Sequence, residues 1–177
     1  MCGMLAKHLE KTDEYKYWLN ALIKKFKKDD EAFEYAATLV GEESDDFQKY
    51  LKRGLKINKK NETLLVMQAN YYITKQENEK ALVFAHKLIE INPKKVDYLV
   101  CRGAIYQHLE MEDEAIKDFS AILEIAPKNF TANYGIGSIY FNRAADLNEA
   151  ANNTSDTEEY KELTQAATDQ MREALPF

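Results

Sequence analysis

Turn residues are scarce in this chain. Three prolines and six glycines in 177 residues cannot punctuate the many strand reversals that a sheet protein of this size needs. Long stretches are left free for helix, so an all-α fold is expected. Cysteine is nearly absent: Cys2 and Cys101 make no disulfide framework, and no C-x-x-C spacing exists for a zinc ribbon or a thiol redox centre. Apolar runs are short and broken by lysine and glutamate, and none approaches the roughly 20 residues of a membrane span. No basic start followed by an apolar core marks a secretory signal, although a leader removed by processing would leave the same sequence. The cytoplasm is therefore the default compartment, with export left open.

Positive charge is in deficit as well. Thirty acidic side chains against 24 basic ones give a net charge of −6, which favours solubility and offers no long footprint for nucleic acid. Even so, Lys60, Lys94 and Lys128 recur at one constant spacing, each just beyond a predicted second helix. A cation there complements the negative end of the helix dipole; the alternative is a basic edge that grips an acidic partner.

What the chain does have is 45% hydrophobic residues, enough for a continuous core, laid out on a fixed beat. Leu65, Ala69, Tyr72, Ala81, Leu88 and Pro93 return in the same order, each displaced by the same offset, as Leu99, Gly103, Tyr106, Ala115, Ile122 and Pro127. This order, with its period of about 34 residues, resembles the tetratricopeptide repeat, a helix–turn–helix unit. The resemblance implies a right-handed superhelical solenoid in which each hairpin stacks on the next. Small residues, Ala69 with Ala81 and Gly103 with Ala115, are expected where paired helices cross. Tyr72 and Tyr106 would fill the space between units, and Pro93 and Pro127 would stop the second helices. Thr12, Ser44 and Asn78 stand where second helices should be capped.

A single array is expected: a partial repeat at 1–27, a divergent one at 28–61, clear ones at 62–95 and 96–129, and an elongated one at 130–177. In the partial repeat Gly3, Tyr15, Leu19 and Leu22 keep the spacing, Cys2, Leu5 and Leu9 extend an apolar stripe to the chain start, and Trp18, Ile23 and Phe26 join Leu19 on the buried side. The stripe suggests that the natural protein extends further at this end; a lipid-bearing Cys2 is the other reading. The divergent repeat, with Phe33, Ala36, Ala37, Val40, Phe47, Leu51, Leu55 and Ile57, lacks one residue near Gly41–Ser44. In the last repeat Gly137 takes the small-residue position, and an insertion between Tyr140 and Glu173 lengthens the hairpin. Ala144, Leu147 and Ala151 continue its first arm, and Tyr160, Leu163, Ala167, Met171 and Ala174 mark the second. In some bacterial tetratricopeptide proteins such a hairpin is followed by a further helix, and a natural end after Pro176 stays open.

No cluster carries catalytic chemistry. His8, His86 and His108 share no metal-binding spacing. Gly135-Ile136-Gly137 lacks the preceding strand, third glycine and lysine of a nucleotide loop. Asp45-Asp46 and Glu158-Glu159 fit the first turns of helices. Asn61-Glu62-Thr63, Asn129-Phe130-Thr131 and Asn153-Thr154-Ser155 satisfy the common glycosylation pattern. Cys101 reads as a small buried hydrophobe. No cofactor or metal is implied, and the chain reads as non-enzymatic.

The resemblance places a partner-binding groove at Val66, Asn70 and Ile73 of one repeat, Val100, Ala104, Gln107 and His108 of the next, and Tyr134, Ser138 and Phe141 of the last. Tyr134 and Phe141 are the strongest anchors, since a rigid aromatic buries area at little entropic cost. The groove would receive a peptide or helix of a protein partner. Alternatively another part of the same protein, or a second copy in a homo-oligomer, fills it. Repeats that clamp acidic tails of heat-shock chaperones use basic and amide side chains at set positions. Of these only Asn70 is present, with Val66, Asp97, Cys101, Thr131 and Gly135 at the others, so that partner class is disfavoured.

Overall fold

The computed structural model describes residues 12–177, with side chains from Tyr17 onward. The expectations for Cys2, Gly3, Leu5, His8, Leu9, capping by Thr12 and the side chain of Tyr15 lie outside the described residues. Among those described there are nine helices and no strand: α1 Thr12–Lys25, α2 Asp30–Val40, α3 Asp45–Ile57, α4 Glu62–Thr74, α5 Asn78–Ile91, α6 Val96–His108, α7 Glu112–Ile125, α8 Phe130–Asn153 and α9 Thr157–Ala174. They form two compact units, Met1–Ile91 and Asn92–Phe177.

In the first unit α1 packs on α2, α2 pairs with α3, α3 touches α4, and α4 pairs with α5. Helix starts follow side-chain caps, which satisfy backbone N–H groups that have no partner in the helix. Asp29 accepts from the Glu31 N–H at 3.1 Å, Ser44 from that of Asp46 at 3.3 Å, and Asn61 from that of Leu64 at 2.9 Å. Asn78, expected as a cap, is instead the first residue of α5. The core gathers Phe33, Phe47, Leu51 and Leu64, all fully buried. Leu19 and Ile23 join it, but Trp18 and Phe26 are 45% and 40% exposed. The helix that carries Trp18, α1, has α2 as its neighbour, and its remaining face meets no other described helix closely. Ile57 is exposed too, because the last residue of α3 falls off the stripe set by Phe47, Leu51 and Leu55.

The two helices of α4–α5 are reversed by Gln76, in the left-handed region at φ 58°, while the Glu77 N–H donates to the Tyr72 carbonyl at 2.9 Å. The second unit repeats the device at the equivalent position of its own hairpin: Glu110 sits at φ 57°, and the Met111 N–H donates to the Tyr106 carbonyl at 2.9 Å. Both turns cost about 1–2 kcal/mol because neither residue is glycine. The next position in this series is Ala144, fully buried and helical, and there the chain does not turn. The helix α8 runs on to Asn153, and the reversal comes where Asp156 accepts from the N–H groups of Glu158 and Glu159 at 2.8 and 3.1 Å. The elongated hairpin expected of residues 130–177 is thus α8 against α9, closed by buried Ala151 and Ala167. Tyr160 and Met171 keep the helical period but are exposed.

The second unit is organised around Phe119 of α7, which stands where the preceding repeat has Ala85. A ring here needs room. A Cβ on Gly103 would lie 2.7 Å from one edge of it and a Cβ on Gly135 2.6 Å from the other. Two first helices, α6 and α8, therefore admit the same buried ring by giving up side chains. Gly103 must be small on account of Phe119, and this corrects one expectation: the glycine that packing demands in α8 is Gly135 instead of Gly137, whose nearest neighbour would be Phe177 at an ordinary 3.5 Å. Charged pins complete the unit. Arg102 grips Asp118 through two bonds of 2.8 and 2.6 Å, and Arg143 of α8 reaches Glu112 at 2.6 Å and Asp113 at 2.8 Å on α7.

Candidate functional site

The expected groove residues lie on α4, α6 and α8, the first helices of three hairpins. In the first unit, Val66 and Ile73 are half-buried and Asn70 exposed on α4. In the second, Val100, Ala104 and Gln107 are half-buried on α6, with His108 exposed at its end. On α8 the side chains converge. Tyr134, Ser138 and Phe141, spaced by four and three residues, share one helical face and line a cavity of about 490 Å³ together with Asn133, Gly137, Asn142 and Phe177.

Tyr134 is 66% and Phe141 55% exposed, so both rings are open to contact by a partner. Phe130, one turn earlier and 78% exposed, stacks on Tyr134 with centroids 5.9 Å apart and planes 16° from parallel. The ring of Tyr134 thus both stacks on Phe130 and lines the cavity. Local bonds hold the remaining walls: the Ser138 hydroxyl donates to the Gly135 carbonyl at 2.9 Å, and the Asn133 amide donates to the Asn129 carbonyl at 2.9 Å and that of Pro127 at 3.3 Å. No charged side chain lines the cavity. It can receive apolar or aromatic groups and exchange hydrogen bonds through hydroxyls and amides.

Val100, Ala104, Gln107 and His108 do not line this cavity. Sequence reasoning missed Phe130 and Phe177. Phe130 left a signal, an apolar residue one turn before Tyr134; Phe177 left none, being far from the repeat period. Asn61 and Asn129, noticed only as glycosylation patterns, are helix caps, Asn129 accepting from the Ala132 N–H at 3.0 Å. Cys101 is half-buried, not buried as expected, and burial pushes its thiol pKa up, away from nucleophilic character. Among the described residues no group of three His, Cys, Asp or Glu side chains is placed to hold a metal ion, and no helix is long and apolar enough to cross a membrane.

Stacked two-helix units with this turn geometry and period define the class. The tetratricopeptide repeat family profile matches residues 97–129, and the chain is built on that all-α solenoid fold. A tetratricopeptide repeat protein from Parabacteroides merdae superimposes with a TM-score of 0.65 at 22% identity, over 98% of this chain and 74% of its own. MamA superimposes with a TM-score of 0.65 at 16% identity, over 99% and 93%. In sequence, a UDP-N-acetylglucosamine–peptide N-acetylglucosaminyltransferase from Giardia intestinalis is 39% identical over 54 residues; that stretch is 30% of this chain, which spans 4% of the enzyme's length. Repeats of this kind serve as protein-interaction scaffolds.

Proposed function

We propose that the chain is a non-enzymatic protein-binding module whose α8 cleft, lined by Tyr134, Ser138 and Phe141, seats an apolar or aromatic side chain of a peptide or helix. One observation carries this reading: two large rings stay mostly solvent-exposed on one helix and line a cavity of about 490 Å³. Val100, Ala104, Gln107 and His108 on α6, in the same unit as the cleft, would extend recognition along the partner, and Val66, Asn70 and Ile73 on α4 would be a separate contact surface of the first unit. Gly135, which lies under Phe119, cannot carry a basic side chain of the chaperone-tail type, in line with a different partner class.

Selection from a random peptide library on the intact chain tests the proposal. Selected peptides should bind Tyr134→Ala and Phe141→Ala at least about tenfold more weakly, a loss of about 1.4 kcal/mol. Melting should stay near that of the parent, since exposed rings contribute little burial. Peptides that bind both variants as well as the parent would sink it.

A second reading has its own observation. Phe177 forms one wall of the cleft and would meet a Cβ on Gly137 at 3.5 Å, so a segment of the same polypeptide already covers part of this face. On that reading Phe177→Ala increases peptide binding, while on the first it decreases it.

A further inference from the structure

We propose that the first unit carries a second recognition site, a pocket for acidic peptide segments that bear an aliphatic side chain. It is a cavity of about 460 Å³ where the C-terminal ends of α3 and α5 meet the first turn of α4. Leu55, Leu65 and Ile91 supply its apolar lining, and Lys59, Lys60 and Lys87 bring three ammonium groups.

The charge is more than helix ends require. From Lys49 to Lys60 there are six basic side chains and no acidic one, in a chain of net charge −6. Lys49 is held by Asp46 at 2.9 Å, and the Arg53 guanidinium lies over the Phe33 ring at 4.7 Å. Lys52, Lys56, Lys59 and Lys60 are exposed, and none of them forms an ion pair within the described residues. A dipole acts only over the last turn of a helix, so it does not account for Lys52. The spacing of Lys52 and Lys56 puts them on one face of α3, and Lys59 and Lys60 follow just past its end, a ridge of like charge that leads to the pocket. Ammonium groups so placed repel one another, and a bound anion relieves that repulsion.

The shape selects the ligand. Four of the seven lining residues, the three lysines and Glu90, are exposed, so the pocket is too open to bury most of a small molecule. It does fit one aliphatic side chain, set against Leu55, Leu65 and Ile91, of a strand whose carboxylates follow the lysine ridge. Glu90 offsets Lys87 on the α5 side, so the carboxylates are drawn to Lys59 and Lys60 and the segment is oriented. Glu90 also works against a nucleic-acid backbone, which is negative along its whole length.

Fluorescence anisotropy on the intact chain with a labelled Asp-Glu-Leu-Glu-Asp-Leu peptide tests this, with a leucine-to-serine version and a short oligouridylate as controls. The peptide should bind, more weakly as salt rises from about 50 to about 200 mM. Amide shifts should fall at 55–65 and 87–91. The Lys59→Glu, Lys60→Glu double variant should lose at least about tenfold in affinity with unchanged melting, and the serine peptide should bind less tightly than the leucine one. Tyr134→Ala should not matter, which separates this site from the α8 cleft. Equal binding by the double variant, equal binding of the serine peptide, an oligouridylate that binds as tightly, or no binding by the parent would each overturn the proposal.

Discussion

A single ring decides how closely the helices of the second unit approach. Phe119 is fully buried, with backbone against both edges, at Gly103 and at Gly135. It has nowhere to swing. In Gly135→Ala the new methyl carbon would sit 2.6 Å from the ring, and overpacking of this kind costs about 1–3 kcal/mol. Better helix propensity returns up to about 1 kcal/mol. The expected net effect is a melting temperature lower by several degrees, at roughly 2–4 °C per kcal/mol. Gly137→Ala is the control. Its methyl would meet Phe177 at 3.5 Å, so the propensity gain dominates and melting should rise slightly. If Gly135→Ala also raises it, the wedge interpretation of Phe119 fails. The sequence showed that small residues are needed in this region but pointed to Gly137, because the period supplies a position and not the size of the neighbour. Only the exchange of Ala85 for Phe119, at equivalent positions of successive repeats, hinted where space would be short.

Elements begin and end where local polar groups can take over from the helix ladder, and this was partly legible. Ser44 caps the helix it was expected to start, and α8 and α9 carry the residues expected of the two arms of the last hairpin. The turns at Gln76 and Glu110 were hidden, because the left-handed residue in each is not a glycine. Trp18 and Phe26 misled for the opposite reason: their periodicity is right, but burial also needs helices packed on that side, and among the described residues α2 is the one that packs on α1. Asn61 shows how one residue serves two elements. Its carbonyl oxygen caps α4, while its amide donates to the Asp30 carboxylate at 2.8 Å, which Asn58 also reaches at 2.9 Å. The Asn61 bond, with those of Asn58 and the Asp30 backbone, holds the Asp30 pKa below its ordinary 3.8. A carboxyl lowered on folding stabilises fully above the unfolded value and loses that contribution as pH falls through the folded one. Asn61→Ala should therefore cost about 1–2 kcal/mol near neutral pH through the lost cap and move the Asp30 titration upward. Carbon-detected NMR of the Asp30 carboxyl checks this; an unmoved titration would mean that Asn61 does not set it.

Across the whole molecule, packing inside each unit is mostly between helices adjacent in the chain, with α6 on α8 as the longer-range addition. Stability in such a chain is a sum of local hairpin and neighbour terms, so damage should stay near its source. Phe119→Ala provides the test. Removing a buried phenylalanine costs about 3–5 kcal/mol, here spread over α6, α7 and α8, which all touch the site through Gly103, Phe119 and Gly135. Native-state hydrogen exchange should show protection falling in those three helices well before α2, α3 and α4, whose core of Phe33, Phe47, Leu51 and Leu64 does not include the ring. Equal loss of protection in both sets would show that the chain unfolds as one cooperative body, and that the repeat period, so plain in the sequence, does not divide its energetics.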